Sequence, residues 1–190
     1  MVAVSRPAPE ELSEHFARYV ALVAEGDVLD ALTRTGEGTV RALAGLAEAH
    51  AAGAYAPGKW SIKAVAAHLA DTERVMALRL LWAARRDPSA LPGFDQDAWS
   101  AAAGADARPI ADLAAEFAAV RAATLALARG LGADAWRGWA DVGGRRVTAR
   151  ALIYVVAGHE LHHRRVLAER YGVAFEDAAP GGRPGGARGA

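Results

Sequence analysis

The most regular hydrophobic pattern in the chain follows Pro109, where mostly apolar positions recur at alternating steps of four and three. These positions are Leu113, Phe117, Val120, Thr124, Leu127 and Leu131. Steps of this size place side chains on one face of an α-helix. Pro109 is favourable at a helix start, and Gly130 and Gly132 end the pattern. The spacing therefore predicts an amphipathic helix that buries one face.

Two further helices are predicted from their N-caps. Ser61 is a favourable cap for a helix over 62–84, and Thr148 is a favourable cap for a last helix that ends near Tyr171. The first of these helices carries a stripe of residues on one side. The stripe contains Val65, His68, Thr72, Val75 and the stem of Arg79.

The remaining segments are less regular. Pro9 opens a predicted short helix that ends near Gly26, and a longer helix follows to about Ala51. Residues 87–108 are expected to be irregular because prolines and glycines interrupt them. The glycine pair at 143–144 indicates a tight hairpin before the last helix.

Helical stripes of this width are buried only against other helices, so the expected fold is all-α. We expect a four-helix bundle with short accessory helices or turns. The bundle domain is expected to span residues 9–173. Residues 1–8 are predicted to form a flexible N-terminal arm, and residues 174–190, rich in Gly, Pro and Arg, a disordered tail.

Composition supports a helical protein and argues against nucleic-acid binding. Hydrophobic residues make up 53% of the 190-residue chain, whereas Phe, Tyr and Trp together make up 7%. Much of the hydrophobic fraction is alanine, a strong helix former. Lys and Arg number 22, as do Asp and Glu, so the formal net charge is zero. Nucleic-acid binders usually carry a basic excess or stripe.

The chain contains no cysteine, which excludes disulfides and thiolate metal sites. A metal ion would therefore be held by His, Asp or Glu. No apolar run has the length of a signal peptide or of a membrane span. We accordingly expect no membrane association and a cytoplasmic location.

Three of the six histidines occupy core-facing positions of predicted helices. In the last helix His159 and His163 are four residues apart and share a face, whereas His162 lies about 100° around the helix. His68 lies on the stripe of the earlier helix. The three imidazoles predict a site for one divalent metal ion, with coordination positions left open for water or substrate. The alternative is that these histidines hydrogen-bond to carboxylates in the core. His15 and His50 are expected to be exposed or to cap helices.

The letters HELHH at 159–163 also match the H-E-x-x-H signature of zinc metalloproteases, with Glu160 as the general base. The extended signature requires a glycine and a third histidine soon afterwards, whereas Arg164, Arg165 and Val166 follow here. A zinc metalloprotease therefore remains a minor alternative.

Three segments carry a resemblance to a known family. They are YAPGKWSIKAVAAHLADTERVMALRLL at 55–81, LPGFDQDAW at 91–99 and RALIYVVAGHELHHRRVLAERYG at 150–172. With these segments in this order, the chain resembles the DinB-like, damage-inducible family of metal-binding four-helix bundles. The resemblance implies one divalent ion per chain, commonly nickel or zinc, on His68, His159 and His163. It also implies a homodimer.

The resemblance leaves the activity open. Relatives include thiol-dependent transferases and isomerases of the maleylpyruvate and bacillithiol type, and members described as metal-dependent hydrolases. We expect a metal-dependent enzyme, either a hydrolase or a thiol S-transferase, that acts on small molecules. The alternative is a non-catalytic metal-binding or ligand-binding bundle used in stress responses.

Three acidic residues near the histidines are candidates to act as a base or to orient a metal-bound imidazole, namely Asp71, Glu73 and Glu160. For each of them, a solvated or ion-paired role is the alternative.

The loop LPGFDQDAW brings Phe94, Asp95 and Trp99 between two bundle helices. It is a candidate to cover the open metal face or a dimer seam, with plain loop packing as the alternative. Trp60, which precedes the Ser61 cap, is interpreted as a hydrophobic staple rather than as a cofactor contact.

Overall fold

Four long helices pack side by side in the computed structural model, which describes residues 3–176. Together with shorter ones, the α-helices of the described residues are α1 (Glu14–Val20), α2 (Val28–Ala44), α3 (Glu48–Ala51), α4 (Ile62–Arg85), α5 (Gln96–Ala102), α6 (Ile110–Arg129) and α7 (Ala149–Tyr171). The bundle consists of α2, α4, α6 and α7, in which α4 and α2 each contact both α6 and α7. The short helix α1 packs on α7. The expected four-helix bundle is therefore confirmed.

The caps predicted from the sequence are present. The Ser61 hydroxyl accepts a hydrogen bond from the backbone N–H of Ala64 at 2.9 Å, at the start of α4. The Thr148 hydroxyl accepts one from the N–H of Ala151 at 3.2 Å, at the start of α7. Each cap satisfies a backbone donor that has no partner within its own helix.

The helices differ from the prediction in three places. The first helix ends at Val20 rather than near Gly26, and the longer helix divides into α2 and α3 around extended backbone at Ala47. The segment 87–108, predicted to be irregular, contains α5. The Asp95 carboxylate caps α5 by accepting backbone hydrogen bonds from its first turn. A cap of this kind is visible in the sequence, but the flanking glycines and prolines concealed the short helix.

The hairpin predicted at 143–144 is also confirmed. Strands β1 (Trp139–Val142) and β2 (Arg145–Thr148) are antiparallel, and Val142 pairs with Arg145. Gly143 and Gly144 have φ of 61° and 81°, which suits a two-residue type I′ turn. The hairpin thus leads directly into the Thr148 cap of α7.

The predicted flexible arm is packed over residues 3–8, the part that the structure describes. Val4 is buried, and its carbonyl accepts a hydrogen bond from the Tyr154 hydroxyl at 3.2 Å. Arg6 donates to the Val20 carbonyl at 2.9 Å. These contacts hold the segment to α1 and α7, so the packed unit begins before residue 9. At the other end Val173 is buried, and residues 177–190 of the predicted tail lie outside the described residues.

A buried ionic cluster joins the four bundle helices, and we call it the Arg121 cluster. The Arg121 guanidinium donates to the Glu73 carboxylate at 2.8 and 2.7 Å and to the Glu160 carboxylate at 2.8 Å. The hydroxyls of Thr35 and Thr39 also donate to Glu160, at 2.8 and 2.6 Å. Glu160 is 1% exposed, so its partners replace the water that it loses on folding.

The described helices include none that is both long enough and apolar enough to cross a membrane.

Candidate metal centre

Helices α4 and α7 bring the three predicted histidines together at their contact. The Nε2 atom of His159 lies 3.1 Å from Nε2 of His68 and 3.2 Å from Nε2 of His163. One ligand atom from each residue lies within 4.8 Å of the others. His68 and His159 are buried, and His163 is half-buried. The i, i+4 spacing of the pair on α7 is what aims both rings at the ring from α4.

The arrangement of these nitrogens fits a divalent cation. Bonds of about 2.0–2.1 Å to imidazole at tetrahedral angles separate two ligand nitrogens by about 3.3 Å. A neutral imidazole carries one ring N–H, so three converging Nε2 atoms cannot all be satisfied by one another. A single cation accepts all three lone pairs. The donor set contains no thiolate or carboxylate and is suited to nickel, zinc or a similar ion.

Burial keeps the three imidazoles uncharged near neutral pH. It lowers the pKa of His68 to about 4 and that of His163 to about 3, and the neighbouring histidines lower the pKa of His163 further. Burial also holds the pKa of His159 well below 6.5, and His163 and His68 act in the same direction. A neutral imidazole is the form that coordinates a metal, so no proton competes with the ion at pH 7.

Two aromatic rings and one hydroxyl pack around the imidazoles. The Tyr19 ring lies 5.5 Å from the His159 ring, and the Trp60 ring lies 4.8 Å from the His68 ring. The Thr72 hydroxyl lies 3.4 Å from Nδ1 of His68. Trp60, interpreted from the sequence as a hydrophobic staple, therefore also borders the site through its ring. Tyr19 was not predicted, because it comes from α1, outside the motifs.

Two clefts border the histidines. The first, which we call the Arg79 cleft, encloses about 320 Å³ and is lined by His68, His159, Thr72 and Arg79, among others. The second, which we call the Trp60 cleft, encloses about 540 Å³. Its lining includes Trp60, Tyr55, Tyr171, Asp97 and His163. The centre is therefore accessible to small molecules.

The three acidic candidates have partners other than the histidines. Asp71 forms an ion pair with Arg74 at 3.1 Å on the outer face of α4. Glu73 and Glu160 belong to the Arg121 cluster, which occupies both of their carboxylates. None of the three makes a described hydrogen bond to an imidazole within residues 3–176. In the metalloprotease alternative Glu160 would have to act as a base at the ion, and its burial with Arg121 opposes this.

The other histidines lie outside the three-nitrogen group. The His162 ring packs 5.7 Å from the Tyr19 ring and borders the Trp60 cleft. His50 is exposed and donates to the Tyr171 carbonyl at 2.9 Å. It therefore caps the end of α7, in agreement with the expectation that it is exposed or caps a helix. His15 is exposed at the Arg79 cleft and contacts Arg18.

The loop before α5 borders the histidines on the side of the Arg79 cleft. Phe94 lines that cleft, and its ring contacts the ring of Trp99 at 4.9 Å. Gln96 lines both clefts. Asp95 serves as the cap of α5. These contacts favour a role for the loop in covering the metal face over plain loop packing. The role at a dimer seam stays a prediction.

Comparisons with known proteins agree with this architecture. A family model described as the DinB superfamily matches residues 31–167, a range that contains all three histidines. The solved structure of YfiT from Bacillus subtilis, described as a probable metal-dependent hydrolase with an unusual four-helix bundle topology, has a TM-score of 0.65 and 16% sequence identity. That match covers 88% of this chain and 94% of YfiT.

A second solved structure, the mycothiol-dependent maleylpyruvate isomerase, has a TM-score of 0.61 and 17% identity. The match covers 77% of this chain and 60% of the isomerase, so the chain spans less than two thirds of that protein. The comparison with curated protein sequences gave no match. At these identities the structural likeness shows the fold alone.

Proposed function

The chain belongs to the DinB superfamily, and from that premise we propose that it is a metal-dependent hydrolase of small molecules whose ion is held by His68, His159 and His163. The observation that carries the proposal is the convergence of three neutral imidazole nitrogens where two clefts meet. A three-histidine set leaves coordination positions free for water or substrate. The description of YfiT as a probable metal-dependent hydrolase supports the same activity.

The residues around the centre have separable roles in this proposal. When bound, a divalent ion supplies a Lewis acid and lowers the pKa of a coordinated water or thiol toward neutral. The three histidines hold the ion without neutralising its charge. Thr72 lies beside His68 and orients that ring. The rings of Tyr19 and Trp60 exclude water from the flanks of His159 and His68.

A second candidate function is thiol-dependent transfer or isomerisation. Two clefts that both border the histidines would let a thiol and an electrophile bind at the centre together, whereas hydrolysis needs one organic substrate. The fold shared with a mycothiol-dependent isomerase supports the hypothesis of a thiol-dependent enzyme. A non-catalytic metal-binding bundle is the remaining alternative. Nickel or zinc as the native ion, a homodimer and a role in stress stay predictions from the family resemblance.

The test begins with metal content. Plasma mass spectrometry on tag-free protein is expected to find about one divalent ion per chain, lost in His68→Ala and in His159→Ala. The matched control is His50→Ala, which removes an exposed histidine that does not belong to the three-nitrogen group. Nickel- and zinc-loaded protein is then assayed on a panel of small esters and amides, with and without added thiol.

The outcomes separate the candidates. Turnover that needs the metal but no thiol supports the hydrolase, and turnover that requires a thiol supports the transferase. Metal binding without turnover on the panel favours the non-catalytic bundle. A folded protein that contains no metal and takes up neither added nickel nor added zinc overturns the metal centre itself.

A further inference from the structure

Arg79 is a buried cation beside the candidate metal centre. It lies on α4 about three turns beyond His68 and about 20° from it around the helix, so both side chains face the same side. Its residue exposure is 4%. Arg79 lines the Arg79 cleft together with His68 and His159.

No carboxylate among residues 3–176 pairs with Arg79. Its hydrogen bonds go to the Pro92 carbonyl at 2.9 Å and to the Met76 sulfur at 3.7 Å. Burial lowers the pKa of Arg79. Arg121, another buried arginine of the bundle, is instead held between two carboxylates. A buried charge that lacks a counterion is costly, which points to a partner outside the described chain.

The hydrogen-bonding capacity of Arg79 is largely unused. A guanidinium has five N–H donors in a planar fork that matches the two oxygens of a carboxylate. The described bonds involve Nη1 and Nη2, once each, and none involves Nε. Four apolar side chains also line the Arg79 cleft, namely Phe16, Met76, Phe94 and Val155, and the Phe94 ring centroid lies 5.8 Å from the guanidinium carbon of Arg79.

We propose that Arg79 binds the carboxylate of a small substrate whose apolar body fills the Arg79 cleft and whose reactive group extends toward the three histidines. The assignment of a substrate rests on the proposed function, whereas carboxylate binding by Arg79 does not. Residues 68 and 79 are about 16 Å apart along the helix axis, so the carboxylate and the reactive bond are separated by several atoms. A phosphate is disfavoured because Arg79 is a single cation.

The test uses three probes that do not require turnover. They are 3-phenylpropionate, its neutral amide 3-phenylpropionamide, and inorganic phosphate. Affinities are measured by calorimetry on the full chain as purified and on the same protein after chelation, with its fold checked by circular dichroism. The chelated sample is needed because a carboxylate also binds a metal directly. Carboxylate binding there reports on Arg79 whether or not the metal centre exists.

The carboxylate is expected to bind about 10- to 100-fold more tightly than the amide in both samples, as hydrogen bonds between charged groups allow. Arg79→Gln is expected to lose this preference, while Arg85→Gln, an exposed arginine on the same helix, keeps it. Equal affinities for carboxylate and amide in the unsubstituted protein overturn the proposal, even if Arg79→Gln fails to fold. So does a preference that survives in Arg79→Gln, or tighter binding of phosphate than of the carboxylate.

Discussion

Glu160 accepts a hydrogen bond from Nη1 of Arg121 at 2.8 Å, one residue along α7 from the candidate ligand His159. Neighbouring residues on a helix point about 100° apart, so α7 presents its imidazoles to the clefts and this carboxylate to the bundle core. The same turn of helix therefore serves two purposes. In the HELHH segment the glutamate packs against α6 and α2, and only histidines belong to the candidate metal centre.

Removing the arginine of this cluster should destabilise the protein strongly. Arg121→Leu would leave the carboxylates of Glu73 and Glu160 buried next to each other without their cation. Breaking a buried ion pair in this way costs about 3–5 kcal/mol. The expected result is a fall of that size in the free energy of unfolding, measured by urea titration at pH 7.

The matched control is Arg165→Leu, which removes an exposed ion pair with Glu169 on α7. Exposed pairs contribute about 0–1 kcal/mol, so this variant should unfold close to the parent midpoint. Equal midpoints for the two variants would show that the cluster is solvated in solution and does not join the helices.

Gly158 sets the distance between α1 and α7. A Cβ atom at this position would lie well inside the van der Waals radius of the Tyr19 carbonyl oxygen, which belongs to rigid backbone. Gly158→Ala should therefore push α1 away and cost about 1–3 kcal/mol of unfolding free energy. Because the Tyr19 ring packs on His159, metal affinity should fall as well.

The control for this substitution is Gly130→Ala, where the nearest atom to a new Cβ is an ordinary 3.5 Å away. It should change neither stability nor metal affinity by a comparable amount. If Gly158→Ala matches Gly130→Ala in both measurements, α1 does not approach α7 closely in solution.

The features that the sequence predicted correctly are local ones. The caps at Ser61 and Thr148 and the hairpin at 143–144 depend on residues within one turn of each other. The histidine pair on α7 is local too, since i, i+4 spacing alone places both rings on one face. His68 could be added because it lies on the apolar stripe of its own helix.

The features that were missed depend on packing between helices. Nothing within α6 indicates that Arg121 meets Glu73 from α4 and Glu160 from α7, so the sequence relates these carboxylates only to the histidines near them in the chain. The sequence places only the stem of Arg79 on the apolar stripe of α4. The absence of a counterion around its guanidinium becomes visible only when every neighbouring element is in place.

Glu11 should make the stability depend on pH. Burial raises the pKa of Glu11, but hydrogen bonds from Arg150 and Thr148 outweigh burial and hold the pKa below its ordinary value of 4.5. A lowered pKa in the folded state contributes stability above pH 4.5 that is lost as the pH falls through the folded pKa. Glu11→Gln should therefore cost about 1 kcal/mol at pH 7, since a charged acceptor is replaced by a neutral one.

Urea titrations of both proteins at a series of pH values check this. The difference in unfolding free energy between the two proteins should shrink as the pH falls below 4.5. Both proteins contain the same histidines, so the pH dependence that these contribute cancels in the difference. Glu10→Gln, at the adjacent exposed position, should show a much smaller difference throughout. A Glu11→Gln difference that stays constant down to acidic pH would mean that the carboxylate is not ionised in its contact with Arg150.

The two neighbouring histidines of α7 provide the sharpest test of which nitrogens hold the ion. His163 contributes Nε2 to the three-nitrogen group, whereas His162 packs beside Tyr19 and borders the Trp60 cleft. Mutating a residue that only hydrogen-bonds to a metal ligand lowers metal affinity about 10- to 100-fold. His163→Ala removes a ligand itself, so it should weaken nickel and zinc binding by more than this. His162→Ala should retain the ion with little change in affinity. Competition titrations with a chromogenic chelator measure both affinities. The two substitutions remove the same side chain from adjacent positions of one helix, so each is the matched control of the other. If His162→Ala has the larger effect, the site is reassigned to the 159/162 pair.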